Sequence, residues 1–384
     1  MKSKKIISGL LALTFVLGGT ALPNTVVNNS VVASAATKNV EVFTYGDYDY
    51  IQLEDGTVEI AKYNGTDEVV EIPGEIDGAA VTSIGEHAFD NDLYDNNSNI
   101  TSVTIPEGVT NIGFRAFFEC KSLVEVSIPD GVVTIGGQAF HTCEKLREVI
   151  IPDSVETLGG GAFGFCKALE SVALSNKLTK INDNTFTCCE KLTSIKLPSG
   201  IKSIGAEAFT GCKNLESINL PDGLTTISRK AFTNCSKIKE LTVPASVTSM
   251  NSSAFEKTNI DQFYFYNNSA IANNVKIALS KGSNFKVFDC NDKTEYPIPC
   301  SAEFNSEFHQ FRLNWTEVEG AEKYAIAVYL AGKWRPQVYF KANETSFTSP
   351  KLKPNTYRMV ICARVNGEWN TAKLENRASY VKVR

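Results

Sequence analysis

Residues recur every 23 positions through the middle of this chain, and that spacing leaves few folds open. Pro106, Pro129, Pro152, Pro198, Pro221 and Pro244 keep the period, with a double step of 46 over Ser175. Phe117, Phe140, Phe163, Phe186, Phe209, Phe232 and Phe255 keep it too, as do Cys120, Cys143, Cys166, Cys189, Cys212 and Cys235. A unit this short cannot bury its apolar residues by itself, so copies must stack into a solenoid. The phenylalanine and cysteine columns then form the core, and outward residues are left to meet a partner.

The unit from Leu123 to Cys143 shows how one coil closes. Leu123, Val126 and Ile128 make the inward face of a short strand, with Glu125 and Ser127 outward between them. Pro129 ends that strand, because it has no N–H for a ladder. Gly131 lets the chain turn, and Val132 and Ile135 point inward along the far side. Gly136-Gly137 allow a second bend, after which Gln138 to Cys143 read as about one helical turn burying Ala139, Phe140 and Cys143. The expectation is a parallel sheet on one side and a phenylalanine spine on the other. The cysteines of the column read as free thiols, since stacked side chains run parallel and a bridge needs them to converge. Cys188, beside the inward Cys189, is expected to face outward.

The ends bound the class. Lys2, Lys4 and Lys5 precede an apolar stretch from Ile6 to about Leu22, and Ala33-Ser34-Ala35 offers a small-residue cleavage site. Residues 1–35 therefore read as a signal peptide. A retained anchor is the rival, but the run contains glycines and stops at Pro23, short of a comfortable span. The expectation is an exported, secreted or cell-surface protein without stable membrane insertion after cleavage. The remaining 35 basic and 43 acidic side chains argue against nucleic-acid binding, which needs a basic face.

The pattern Leu-x-x-Val-x-Ile-Pro-x-x-Val-x-x-Ile-Gly-x-x-Ala-Phe-x-x-Cys resembles the BspA-type (Treponema-like) leucine-rich repeat of bacterial surface proteins. That resemblance implies an extracellular binding or adhesion scaffold and a right-handed coil of parallel short strands with short helical turns. Residues 36–66 resemble the hairpin cap that opens such arrays, the repeats run over 67–266, and 267–290 read as a closing cap with a short helix and strand. Phe89 to Phe117 spans 28 residues, five over the period. The excess, Asp90 to Asn97, reads as a solvated acidic insertion; it lacks the glycine and terminal glutamate of a known calcium loop.

After a linker at 291–300 the period disappears. Residues 301–384 show alternating strands, with Trp315, Gly320-Ala321 before Tyr324, and Leu352-x-Pro-x-Asn-Thr-Tyr357. These resemble a fibronectin type III domain, an all-β immunoglobulin-like sandwich. The resemblance implies a core of Trp315, Tyr324, Ile326, Leu352, Tyr357 and Ile361, with Tyr357 as the tyrosine corner. Two hairpin tips echo each other, Gly332-Lys333-Trp334 and Gly367-Glu368-Trp369. Trp334 and Trp369 either form an exposed pair that stacks on a glycan, or each covers its own turn and packs on a strand. Cys362 is out of phase with its inward neighbours and is expected to be exposed. Cys290 and Cys300 flank the linker, close enough in sequence to bridge.

No catalytic or metal-binding pattern is visible. His87, His141 and His309 form no metal-spaced pair, and His141 sits at a variable position of the repeat. No cofactor is expected, and the chain reads as non-enzymatic. The candidate binding face is the row of outward strand positions: Ser102 and Thr104, Glu125 and Ser127, Glu148 and Ile150, Ser171, Ser194 and Lys196, Ser217 and Asn219, Glu240 and Thr242, with Tyr264 at the edge. Small hydroxyls and carboxylates suit recognition of an extracellular or host protein. The alternative is a glycan bound by Trp334 and Trp369.

Overall fold

The computed structural model describes residues 41–94, 97, 99–260, 262–265, 286–289, 297, 299–305, 308–371 and 374–383. The signal-peptide reading, the helix expected within 267–290, and the side chains of Cys290 and Cys300 lie outside those residues.

The repeats coil into a solenoid whose cross-section has three sides. The first carries short parallel strands such as Ser102–Thr104, Glu125–Ser127 and Glu148–Ile150, each one 23 residues after the last. Their ladders run in groups: Val69–Glu71 with 102–104 and 125–127, then 148–150 with Ser171–Ala173, then Ser194–Lys196 with Ser217–Asn219. The second side is a column of two-residue strands, among them Asn111–Ile112, Thr134–Ile135 and Thr157–Leu158, also parallel and in register. Val, Leu and Ile at the first and fourth positions of these segments point inward, which is why Val132, Ile135, Val155 and Leu158 are buried.

The third side corrects the sequence reading. Gln138 to Cys143 is a run of turns, with no α-helix. Gln138 and Thr142 both take left-handed backbone, φ 56° and 62°, and the same two slots are left-handed in the neighbouring coils: Arg115 and Glu119, Gly161 and Phe165, Asn184 and Cys188. A left-handed residue every fourth position cannot continue a right-handed helix. The N–H groups point to the next coil instead. Phe117 donates to Ala139 O at 2.7 Å, Phe140 to Ala162 O at 2.8 Å and Phe163 to Thr185 O at 3.0 Å, with Gln138 and Thr142 donating likewise to Gly160 O and Gly164 O. The stack thus satisfies the backbone groups that a helix would have paired internally.

Inside, the phenylalanine rings lie almost parallel. From Phe117–Phe140 to Phe232–Phe255 the ring centroids are 5.1 to 5.9 Å apart. The N-terminal cap extends this pile. Its strands Val42–Tyr45, Tyr48–Gln52 and Val58–Tyr63 are antiparallel, the last pairs parallel with Ala79–Ile84, and Tyr63 stacks on Phe89 at 5.1 Å. At the other end Glu240–Val243, Gln262–Phe265 and Lys286–Asp289 form a parallel three-stranded sheet.

The cysteines of the column are free and buried, and each has a partner. Every thiol donates to the carbonyl of the phenylalanine one coil back: Cys143 Sγ to Phe117 O at 3.3 Å, Cys166 to Phe140 O at 3.1 Å, and so on to Cys235 and Phe209 O at 3.1 Å. Ser175 replaces proline by hydrogen bonding, its Oγ donating to Val155 O at 2.6 Å. Burial raises the column thiols, Cys235 to about 12, so they hold essentially no thiolate at neutral pH. Cys188 alone of the repeat thiols is partly exposed. Alkylation of the folded protein, mapped by mass spectrometry, should label Cys188 and spare Cys120, Cys143, Cys166, Cys189, Cys212 and Cys235 until denaturant is added. Rapid labelling of the column would contradict this packing.

Past the solenoid, two antiparallel sheets face each other. Pro299–Asn305, Gln310–Trp315 and Ser346–Thr348 form one. Lys333–Lys341, Ala321–Leu330, Asn355–Val365, Glu368–Trp369 and Ser379–Val383 form the other. Trp315, Tyr324, Ile326 and Ile361 are buried between them, with Leu352 and Tyr357 partly buried against the same cluster. Tyr357 Oη donates to Lys353 O at 3.0 Å, four residues upstream, which pins the corner before its strand.

Candidate binding surface

Register places the outward residues of the first solenoid side in two columns. Ser102 stands beside Glu125, Glu148 beside Ser171, and Ser194 beside Ser217; in the second column Thr104 stands beside Ser127 and Lys196 beside Asn219. Thr104, Glu125, Ser127, Glu148, Ser171, Ser194, Lys196, Ser217 and Asn219 are exposed, whereas Ser102, Glu240 and Thr242 are half-buried. Ile150 is 72% exposed among these polar groups. The backbone aligns Tyr264 with Thr242.

The face extends further toward the N-terminus than the repeat pattern indicates. Val69, 61% exposed, and Glu71 stand in register with Ser102 and Thr104. The five-residue insertion puts them out of phase, but the alternation Val69-Val70-Glu71 ahead of Ile72-Pro73 is the same strand-then-proline signal. Beside them lies an open cavity of about 410 Å³ lined by Asp47, Tyr48, Tyr63, Asp67, Val69, Val70 and Glu71. Burial and the nearby Tyr63, Asp47 and Asp67 push the Tyr48 hydroxyl up, so it stays protonated. This end of the face presents three carboxylates and two phenols.

The carboxylates of the solenoid fall into two kinds. Along the coil edges they meet lysines of the next coil, as in Lys167–Glu144 at 2.8 Å, Lys177–Glu156 at 2.9 Å and Lys213–Glu190 at 2.8 Å. Such exposed pairs are worth little, at most about 1 kcal/mol each. Among the described residues, Glu71, Glu125 and Glu148 on the sheet face make no such pair.

Two features escaped the sequence reading. The insertion does not begin as a solvated loop: Asp90 is fully buried, paired with His87 Nδ1 at 2.5 Å and Arg115 Nε at 3.0 Å. It also accepts the N–H groups of Asp92 and Leu93, which starts the single turn Asn91–Tyr94. His141 is part of an outward ring ladder, stacked on Phe118 at 5.2 Å and next to Phe165 at 5.2 Å, with the Arg115 guanidinium 3.6 Å from the Phe118 centroid. Burial and then Arg115 lower its pKa, which favours the neutral ring. Among the described residues no cluster of three His, Cys, Asp or Glu could hold a metal.

In the sandwich, Trp334 and Trp369 cover their own sheet. Both pack over Ala327, Val360 and Cys362, together with Leu374. Cys362 is therefore buried at 6% exposure, contrary to expectation. It is out of phase with the inner core, but a second layer of large side chains covers the outer face.

A three-sided stack of 23-residue coils with a polar outward sheet defines a leucine-rich-repeat solenoid. The model of the BspA type leucine rich repeat region matches in six copies over residues 82–195 and 179–289, more than half of the chain, and the chain belongs to that family. Among solved structures, a leucine rich repeat protein of T. pallidum is 30% identical, covering 51% of this chain and 90% of that one, with a TM-score of 0.46. A leucine-rich repeat protein from Bacteroides ovatus is 27% identical over 65% of this chain and 68% of its own, also at 0.46. A leucine rich cell surface protein from Faecalibacterium prausnitzii is 21% identical over 66% and 95%, at 0.32. No curated protein matches.

Proposed function

We propose that this is an exported, non-catalytic binding protein whose solenoid face adheres to an extracellular or host protein carrying basic side chains. The observation that carries the reading is the set of carboxylates at Glu71, Glu125 and Glu148, which have no ion-pair partner among the described residues while the edge carboxylates are paired. Exposed Ile150 and Val69 give that field two apolar contacts. The apolar stretch at Ile6 to Leu22 and the family support export to the cell surface. The C-terminal sandwich is read as a fibronectin type III-like module, supported by three strands facing five and by the Tyr357 corner.

The test is capture from extracellular and cell-surface extracts by the mature chain, compared with Glu125→Lys/Glu148→Lys and with the edge variant Lys167→Ala. A protein held by wild type and by Lys167→Ala, released as salt rises and bound at least tenfold more weakly by the charge-reversed chain, supports the assignment. Equal capture by all three chains rejects it.

A further inference from the structure

The chain divides sharply by charge. Residues 36–300 carry 22 basic and 35 acidic side chains, whereas residues 301–384 carry 13 basic and 8 acidic. The C-terminal module is thus a basic body on an acidic chain, an asymmetry that points to an anionic partner.

Much of that charge is gathered on one face. On the five-stranded sheet, Tyr324, Ile326 and Val328 point into the core, so the alternate residues Lys323, Ala325, Ala327 and Tyr329 point out. Register sets Lys341 and Arg364 beside Lys323, Tyr339 and Cys362 beside Ala325, and Trp334 beside Tyr329. Trp369 pairs with Arg364. The result is a face with four cations, Lys323, Lys341, Arg358 and Arg364, and four rings, Tyr329, Trp334, Tyr339 and Trp369.

The rings stand in two pairs. Tyr329 and Trp334 are 5.3 Å apart, and the Arg358 guanidinium lies 4.8 Å from the first centroid and 5.3 Å from the second. Tyr339 and Trp369 are 5.8 Å apart, and Tyr339 is 60% exposed. The strand positions of Tyr329 and Ala325 put roughly 13 Å between the pairs, four residues at about 3.3 Å each. Between them the floor is made of small side chains, Ala325, Ala327, Val360 and Cys362, all buried. One carboxylate approaches this face, Glu322, 3.7 Å from Arg364 Nε.

We propose that this outer face binds a carboxylated polysaccharide, a chain of uronic-acid type, with the rings stacking on pyranose faces and the cations pairing with sugar carboxylates. Flat rings give sugar C–H groups an apolar surface, and Arg358, held in place by two rings, offers a fork for a carboxylate. Equal numbers of rings and cations match a polymer with about one negative charge per sugar. A densely sulfated chain would call for more cations than rings, and an acidic peptide has no flat repeating unit for four rings. This site is separate from the solenoid face and does not depend on its assignment.

The experiment uses the full mature chain and three probes: polygalacturonate, its methyl ester with the same sugars uncharged, and polyglutamate with carboxylates but no sugar ring. The expected result is binding to polygalacturonate that weakens at least tenfold between low and moderate salt, with both controls at least tenfold weaker. Tyr339→Ala and Lys323→Gln/Lys341→Gln, all exposed positions, should each lower affinity at least fivefold with an unchanged melting curve. Glu125→Lys/Glu148→Lys should bind the polysaccharide as wild type does. Equal affinity for polyglutamate or the methyl ester, unaltered binding in both sandwich variants, or no binding to polygalacturonate would overturn the proposal.

Discussion

Phe163→Ala is expected to cost about 3–5 kcal/mol of folding free energy, the usual range for removing a buried ring from a packed core. Phe163 is fully buried, with Phe140 at 5.3 Å on one side and Phe186 at 5.9 Å on the other. Its carbonyl also accepts the Cys189 thiol at 3.2 Å, so the coil after it loses a support if the backbone relaxes. Each coil of a solenoid touches only its neighbours, and a gap in the middle should uncouple the two halves. Denaturant unfolding should therefore show a lower midpoint together with a reduced slope or a second transition. Phe255→Ala, at the 8%-exposed end of the pile, should cost clearly less and keep one transition. Equal losses in the two variants would mean that the ring spine is not what couples the coils.

Gly159→Ala is the second large effect, and its cause is steric. A Cβ built on Gly159 would lie 2.2 Å from Gly137 N and 2.5 Å from Gly136 C, both backbone atoms of the preceding coil. Gly113, Gly136 and Gly205 make the same close approach, at 2.7, 2.6 and 2.4 Å to their nearest neighbours. Since no side chain can swing away, the coils must separate locally, and overpacking of this kind costs about 1–3 kcal/mol. Asn182 occupies the equivalent slot one coil later and spans to Leu158 O at 2.6 Å, which shows that the stack can open where a hydrogen bond compensates. Gly159→Ala supplies no such bond, so its loss should lie in the upper half of that range. Gly46→Ala is a useful contrast: nothing lies within 4 Å of its Cβ, and its cost comes only from a φ of +55°. If thermal melting ranks Gly46→Ala as the more damaging change, coil spacing is not controlled by the glycine column.

Much of the fold was legible because stacking repeats one local problem many times. The spacing of Phe117, Phe140 and Phe163 defined the interior, and proline marked the strand ends. What the pattern misled about was the segment around Gln138 to Cys143. A short Ala-Phe-x-x-Cys run reads as helix when only its own residues are considered. Its N–H groups go to residues 22 positions later, and periodicity does not reveal which of two backbone pairings wins. The buried Asp90 escaped for the same reason, since its partners His87 and Arg115 converge only after a coil closes around them. Cys362 was misjudged because alternation identifies one buried face of a strand and assumes that the other is wet.

The binding faces divide along similar lines. Glu125, Ser127, Glu148 and Ile150 could be placed outward from strand alternation alone, and the structure adds Val69 and Glu71, which the insertion had shifted out of phase. The sandwich face needed coordinates, because Tyr339, Trp369, Arg358 and Trp334 come from three different strands.

Chain order alone dictated the solenoid, its coil length and the identity of its core columns, because burying a repeated apolar pattern of 23 residues has few solutions. Tertiary contacts decided the rest: that backbone groups on the turn side pair between coils, that each thiol finds a carbonyl one layer back, and that cations and rings from separate strands share one surface. Those outcomes depend on distances between residues far apart along the chain, which a local pattern does not contain.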